Sequence, residues 1–246
     1  MKAQGMRIAM WSGPRNISTA LLRSWGNRDD TIVNDEPLYA AFLSETGYDH
    51  PIAAEIVDHY ETDWRKVVAG LTGELPDGKP IYYQKHMAHH LLPGMGRDWI
   101  PRLENCFLIR DPIEMLTSLI KIIPEPGLDD TGLPQQLELF RLVEEQLGRR
   151  PPVLDSRDVL EDPGKILGLL CEELGVEFDS AMLSWPPGRR KTDGIWAPHW
   201  YGEVEKSTSF RPYIAKEEKV PRKFEAVLRE CMEIYRVLYE YRLGSG

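Results

Sequence analysis

The sequence predicts an α/β fold in three layers, with a mainly parallel central sheet covered by helices on both faces. Three observations predict it. Short apolar runs alternate with stretches of helical periodicity, and the runs stop abruptly at turn-forming residues such as Ser12-Gly13-Pro14 and Arg110-Asp111-Pro112. A chain of 246 residues, 42% of them hydrophobic, is also long enough to bury one sizeable core.

The elements follow in order. Residues 7–11 (RIAMW) form an apolar run that ends at the Ser12-Gly13-Pro14 turn. Residues 17–25 then place Ile17, Ala20, Leu21 and Trp25 at helical spacing, which gives strand, tight turn, helix. Residues 31–34 read as a second strand, followed by Asp35-Glu36 and Pro37. Helical patterning fills residues 38–72 and is broken near Gly47 and Pro51. Residues 81–84 open a third strand that Lys85-His86 closes, and residues 105–109 (NCFLI) are the clearest strand of all. Pro112 suits the first turn of a helix over 113–122. A Pro- and Gly-rich loop covers 124–134, a helix 135–147, a strand 153–155 and a helix 163–174. Residues 184–209 lack periodicity and read as a long loop, a type that is often functional. A long helix over 217–241 closes the chain. Residues 1–243 read as a single domain without repeats, and 244–246 (GSG) as a flexible tail or cloning scar.

The bulk numbers narrow the function. The formal net charge is −9, the opposite of what a duplex nucleic-acid binder carries, so no nucleic-acid partner is expected. The same balance disfavours a highly sulfated polysaccharide as a ligand. No apolar run approaches the ~20 residues of a membrane span, and the N-terminus lacks the apolar stretch of a signal peptide. A cytoplasmic location is the default expectation. Cys106, Cys171 and Cys231 are too scattered for a disulfide framework or zinc site and read as buried thiols.

The turn between the first strand and first helix carries the chemistry. A helix N-terminus presents unpaired N–H groups and a positive dipole end, which favour an anion. Gly13 permits the sharp turn, Ser18 and Thr19 add hydroxyls, and Arg15 adds a fork of donors suited to phosphate oxygens. The Gly-Lys-Ser/Thr of nucleoside triphosphatases is missing. Arg110 directly follows the clearest strand and Ser118 lies eight positions later on the next helix, so both can face one phosphate.

Together, Ser12-Gly13-Pro14-Arg15-Asn16-Ile17-Ser18-Thr19 and Phe107-Leu108-Ile109-Arg110-Asp111-Pro112 with Ser118 resemble the 5′-phosphosulfate loop and the 3′-phosphate motif of the sulfotransferase superfamily. The resemblance implies a P-loop-kinase-like α/β fold and 3′-phosphoadenosine 5′-phosphosulfate (PAPS) as co-substrate, with no metal. It implies that Gly13, Pro14, Arg15, Asn16, Ile17, Ser18 and Thr19 surround the 5′-phosphate, with Arg15 also at the transferring group. Arg110 and Ser118 would bind the 3′-phosphate. Asn16-Ile17 departs from the family's frequent Ser-Gly. A β-branched residue disfavours positive φ, so Ile17 is expected to be helical already.

Sulfuryl transfer needs a base for the acceptor and positive groups around the transferring oxygens. Glu36, in a Glu-Pro pair that bacterial relatives also carry, is one candidate base. His86 is the other, and Lys85 is a candidate for the bridging oxygen; the family's cytosolic members separate this lysine and histidine by one residue, whereas here they are adjacent. His89 and His90 lack the companions of a metal site. The basic run Arg189-Arg190-Lys191 resembles the family segment that folds over the 3′-phosphate, and Trp196, His199, Trp200 and Tyr201 follow it as ring platforms for adenine or acceptor. The partner expected is a small-molecule acceptor bearing a hydroxyl or amine; oligomeric state is open. Two other readings of the same residues are a small-molecule kinase using Mg-ATP, with Asp111 as the metal-binding carboxylate, and a non-catalytic nucleotide-binding module.

Overall fold

The computed structural model describes residues 5–244, so the N-terminal tetrapeptide and the last two residues of the expected tail lie outside the described residues. The strands are β1 (Met6–Ser12), β2 (Thr31–Asp35), β3 (Ile81–Met87), β4 (Glu104–Ile109) and β5 (Val153–Asp155). They form one sheet in the order β2-β3-β1-β4-β5, and every pairing is parallel. The helices are α1 (Ser18–Trp25), α2 (Tyr39–Thr46), α3 (Ala53–His59), α4 (Trp64–Thr72), α5 (Pro112–Leu119), α6 (Leu133–Leu147), α7 (Ser156–Glu161), α8 (Pro163–Leu174), α9 (Ala197–Trp200) and α10 (Glu225–Tyr239).

The alternation of side chains along each strand builds the two faces. Ala9, Trp11, Phe107 and Ile109 pack on one side against Leu71 of α4, Leu139 and Phe140 of α6, and Leu238 of α10. Ile8, Met10, Cys106 and Leu108 pack on the other against Leu21, Leu22 and Trp25 of α1 and Leu167 and Leu170 of α8. Both sheet faces are thereby dry, which is why the central strands read as continuous apolar runs rather than alternating ones. The three cysteines are free and buried. No helix among the described residues is long and apolar enough to cross a membrane.

Several boundaries differ from expectation for local reasons. β3 extends through Lys85 and His86 to Met87 and is buried along all seven residues. The helical region after β2 divides into α2, α3 and α4: Gly47 ends α2 in the left-handed region (φ 63°), and Asp63 caps α4 by accepting from the Arg65 N–H. α7 goes unrecognised in the sequence because its apolar content is low; Asp155 starts it by accepting from the Arg157 N–H. α10 begins at Glu225 rather than 217, because Pro221 biases Val220 away from helical dihedrals and a short 3-10 turn, Arg222–Phe224, intervenes. Ile17 is the residue before α1, with φ −92°, and the left-handed dihedral of this loop falls on Arg15 instead (φ 56°).

The long segment after the short 3-10 helix Ser180–Leu183 is irregular but firmly tied. Ser184 and Ser209 bridge antiparallel at its two ends, and α9 lies within it. Asp193 makes a two-pronged ion pair with Arg23 of α1, one arm measuring 2.7 Å, and both side chains are almost wholly buried. The Gly194 N–H donates to Asp35 at the end of β2 (3.2 Å), and the Ile195 N–H donates to the Tyr60 hydroxyl (3.2 Å). Removing one member of a buried pair strands the other charge. Asp193→Ala is therefore expected to lower unfolding free energy by about 3–5 kcal/mol in urea melts, with the loss concentrated in a loosened 184–209 segment by hydrogen exchange.

Candidate active site

The carboxyl ends of β1, β2, β3 and β4 open into one cleft of about 790 Å³. In a sheet of this order such a crevice is where ligands bind. Its floor is the loop from Pro14 to Ile17 and the first residues of α1. α1 has no side-chain cap and no acidic residue in its first turn, and the hydroxyls of Ser18 and Thr19 hydrogen-bond no described residue. The helix thus offers free N–H and O–H donors at its positive end. Gly13 is required by contact: a Cβ there would lie 2.3 Å from the Thr131 carbonyl oxygen. Asn16 ties the loop to β4 by donating to the Leu108 carbonyl (3.0 Å) while accepting from the Ile17 N–H (2.8 Å).

The loop and the end of β4 meet here. The Arg110 guanidinium donates to the Arg15 carbonyl, and Arg15 Nε donates to Ser118 Oγ (2.9 Å). Arg110 also pairs with Glu114 (2.9 Å), whose other oxygen accepts from the Tyr213 hydroxyl (2.6 Å). Burial, and then the neighbouring charge of Arg110, holds the Arg15 guanidinium below its ordinary pKa. Lys216 is shifted down in the same way, by burial first and Arg110 next, so three cations crowd this end of the cleft. Three like charges held close, with Glu114 engaged by Arg110 and Tyr213, suit a polyanion.

The opposite wall holds a buried charge cluster. Lys85 Nζ donates to Asp35 (2.9 Å), Glu36 (2.5 Å) and the Tyr201 hydroxyl (2.7 Å), and its side chain is 1% exposed. The Tyr201 hydroxyl in turn donates to Asp35, with oxygens at 2.7 and 2.8 Å, and accepts from Trp196 Nε1 (3.3 Å). Glu36 takes a left-handed dihedral (φ 47°) and keeps 12% exposure; it lines the cleft. Burial raises its carboxyl above the usual range; the Lys85 charge opposes this and the Asp35 charge adds to it. His90 stands on its far side, Nδ1 4.0 Å from Glu36 Oε2, stacked between Tyr39 (4.6 Å) and Phe42 (4.7 Å).

Other residues singled out in the sequence lie elsewhere. His86 does not line the cleft: its ring stacks on Trp11 at 4.3 Å, its Nε2 meets Gln84 (3.2 Å), and burial drives its pKa to about 3. The side-chain alternation of β3 explains this, because adjacent residues face opposite ways and Lys85 takes the inward position. Arg189, Arg190 and Lys191 are absent from the cleft. Asp193 pulls their segment toward α1, where Arg190 donates to the Pro186 carbonyl (2.7 Å) and flanks a small hollow beside Leu22 and Val33. Arg211 and Lys216 line the cleft instead. The pattern Ser207-Thr208-Ser209-Phe210-Arg211, hydroxyls ending on a cation, was the available signal for that stretch. Tyr201 was seen only as a ring platform, and its hydroxyl role depends on a loop path no local pattern encodes. No group of three or more His, Cys, Asp or Glu residues among the described residues is arranged to hold a metal ion.

Comparison with known proteins agrees with this architecture. The family described as "Sulfotransferase domain" matches residues 6–240. Two Arabidopsis thaliana proteins, branched-chain-amino-acid aminotransferase-like proteins 2 and 1, are each 35% identical over 235 residues. That alignment covers 94% of this chain but 41% of theirs, so the chain spans less than half the length of these curated relatives. Among solved structures, the sulfotransferase domain of the Synechococcus PCC 7002 olefin synthase superposes with a TM-score of 0.56 at 16% identity, covering 96% of both chains. The sulfotransferase domain from the curacin biosynthetic pathway gives 0.52 at 16% identity, covering 96% of this chain and 98% of that one. At these identities the likeness is one of fold.

The hydroxyl of Tyr201 is the link between the late segment and the acidic wall. Tyr201→Phe is expected to cost about 1–3 kcal/mol of stability, since it leaves Asp35 short of a donor inside a dry cluster. Thermal melts of the variant beside wild type check this; an unchanged midpoint would show that Asp35 is satisfied without it.

Proposed function

This chain belongs to the sulfotransferase-domain family, and on that premise we propose that it moves a sulfuryl group from PAPS to a hydroxyl or amine of a small-molecule acceptor. The observation that carries the reading is the meeting of three features in one cleft: the uncapped start of α1, the Arg15–Arg110–Lys216 cluster, and Glu36 opposite them.

The site fits the donor nucleotide. The N–H groups at the start of α1, with Ser18, Thr19 and Arg15, would hold the 5′-phosphosulfate, and Arg110 and Lys216 the 3′-phosphate, with the buried Ser118 hydroxyl positioning Arg15 between them. The volume lies within the range of pockets that enclose small ligands. The donor supplies an activated sulfuryl group, so the protein's task is positioning and charge. Glu36 accepts the acceptor's hydroxyl proton as the acceptor oxygen bonds to sulfur; the bond from sulfur to the phosphate oxygen breaks, and its electron pair leaves on the bisphosphate. Arg15 and the α1 dipole stabilise that departing charge. Lys85 cannot reach the bridging oxygen while clamped by Asp35, Glu36 and Tyr201; it orients the base instead. A raised carboxyl pKa makes Glu36 a stronger base than an exposed glutamate.

The deciding experiment is assay of PAPS turnover against an acceptor panel in excess EDTA, beside Mg-ATP. Activity with Mg-ATP alone would replace the reading with a kinase. Binding of the 3′,5′-bisphosphate with no turnover on any acceptor would favour a non-catalytic module.

Arg110→Ala should weaken bisphosphate binding by more than about 1.5 kcal/mol in calorimetry, the worth of one charge-assisted hydrogen bond, while leaving the melting point near wild type. Glu36→Gln should cut kcat by at least about a hundredfold with bisphosphate affinity retained. The base is active when ionised and its pKa is raised, so kcat/KM in wild type should rise with pH along an acid limb centred above 4.5, the ordinary glutamate value. That limb should vanish from the residual activity of Glu36→Gln.

A further inference from the structure

Beyond Glu36 the cleft changes character. Its far end is walled by rings: Tyr39, Phe42, Tyr48, His50 and Trp200 all line it. Tyr48 and His50 stand 5.1 Å apart at 67°, and His50 and Trp200 6.1 Å apart at 65°, so the three rings meet at steep angles, as an open box, rather than as a stack. Asp130 closes the box. Its carboxylate accepts from the Tyr48 hydroxyl (2.6 Å) and from the Gly127 N–H (2.7 Å), and no lysine or arginine among the described residues pairs with it. Asp49 lines the same end and is likewise without a basic partner among the described residues. The cations of the cleft are otherwise engaged: Lys85 is locked between Asp35 and Glu36, Arg211 binds Glu203 (2.8 Å), and Arg15, Arg110 and Lys216 gather at the phosphate end. The histidines are not fixed cations: burial holds His50 below its ordinary pKa against the opposing charges of Asp130 and Asp49, and drives His89 to about 4.

Ring faces attract cations through their quadrupole, and perpendicular rings beside a carboxylate suit an ammonium better than a flat aromatic guest, which would need parallel walls. A contact path runs from this box back to the base: the Tyr48 ring adjoins His50, His50 Nδ1 meets the Tyr39 hydroxyl (2.7 Å), and Tyr39 stacks on His90 beside Glu36. We infer that the acceptor is an alcohol carrying an ammonium group set apart from its hydroxyl, the cation seated among Tyr48, His50 and Trp200 against Asp130 and the hydroxyl directed toward Glu36. This assignment rests on the sulfuryl-transfer reading and specifies its acceptor. An anionic acceptor would meet like charge from Asp130 and Asp49 at this end of the cleft, and a neutral aromatic one would leave them without a counter-charge.

The test is calorimetric titration of choline into the full chain, with and without saturating 3′,5′-bisphosphate, beside the neutral isostere in which a tert-butyl group replaces trimethylammonium, and beside phenol. The expected result is saturable choline binding at least about tenfold tighter than the isostere, in line with a desolvated cation–π contact. Asp130→Asn and Trp200→Ala should each reduce that preference severalfold, and Asp130→Asn keeps the shape of the box should Trp200→Ala fail to fold. Absence of saturable choline binding, equal or tighter binding of the isostere or phenol, or a preference that survives Asp130→Asn would overturn the assignment. Failure of the bisphosphate itself to bind would instead strike the sulfuryl-transfer reading, and the two results are read from separate titrations.

Discussion

The charge cluster around Lys85 is the constraint on which the site depends. Two adjacent carboxylates, Asp35 and Glu36, end β2 beside a lysine that is buried in β3, and the hydroxyl of Tyr201 reaches in from a segment more than a hundred residues away. Taking these charges out of water is costly, and a buried ion pair by itself is weak evidence of stability. What the cluster does provide is geometry. It locks the end of β2 to β3, seals the late segment onto the sheet, and leaves one carboxylate, that of Glu36, turned toward the cleft with its basicity raised.

The cluster also accounts for the backbone. Two of the four non-glycine residues with positive φ among the described residues, Arg15 and Glu36, face each other across the cleft. Such dihedrals cost on the order of 1–3 kcal/mol and persist only when surrounding contacts over-determine them. For Arg15 those contacts are the Arg110 hydrogen bond to its carbonyl and the Ser118 hydroxyl; for Glu36 they are Lys85 and the Glu36 N–H bonded to the Lys85 carbonyl (2.9 Å). The strain sits on the two residues proposed to face the reacting groups, whose side chains are thereby fixed before a ligand arrives and would not need to reorganise during transfer.

Much of the fold was legible because it is written in local pattern. Apolar runs that stop at Gly, Pro or charged residues gave all five strands, and β1 and β4 announced their ends through Ser12-Gly13-Pro14 and Arg110-Asp111-Pro112. The cationic end of the cleft follows from those same ends, since the sheet order places β1 beside β4 and thereby Arg15 beside Arg110. The acidic wall was only half legible. Asp35-Glu36 and Lys85-His86 stood out, but choosing between Lys85 and His86 requires knowing which face of β3 looks into the cleft, and a strand buried on both sides carries no polar alternation to reveal it. The late segment was least legible. Its basic run looked like a phosphate grip in isolation, yet one buried aspartate, Asp193, redirects it toward Arg23 and brings Tyr201 inward instead.

That redirection divides the cleft electrically. With the segment of Arg189–Lys191 drawn toward α1, Arg15, Arg110 and Lys216 gather at one end, Lys85 and Arg211 are held by their own carboxylates, and Asp49 and Asp130 at the ring-lined end pair with no lysine or arginine among the described residues. A chain with net charge −9 can therefore still concentrate cations where a polyanionic donor would lie, because fields inside a low-dielectric cleft follow the nearest groups rather than the sum. The same separation would oppose wrong-way entry of the proposed ligands. A doubly phosphorylated nucleotide placed at the ring end would meet Asp49 and Asp130, and a cation placed at the loop end would meet three like charges, so each would be steered by repulsion as well as by attraction. Glu36 lines the cleft between the two groups of charges, where, under the proposed transfer, it would take the acceptor's proton while negative charge built on the donor's side.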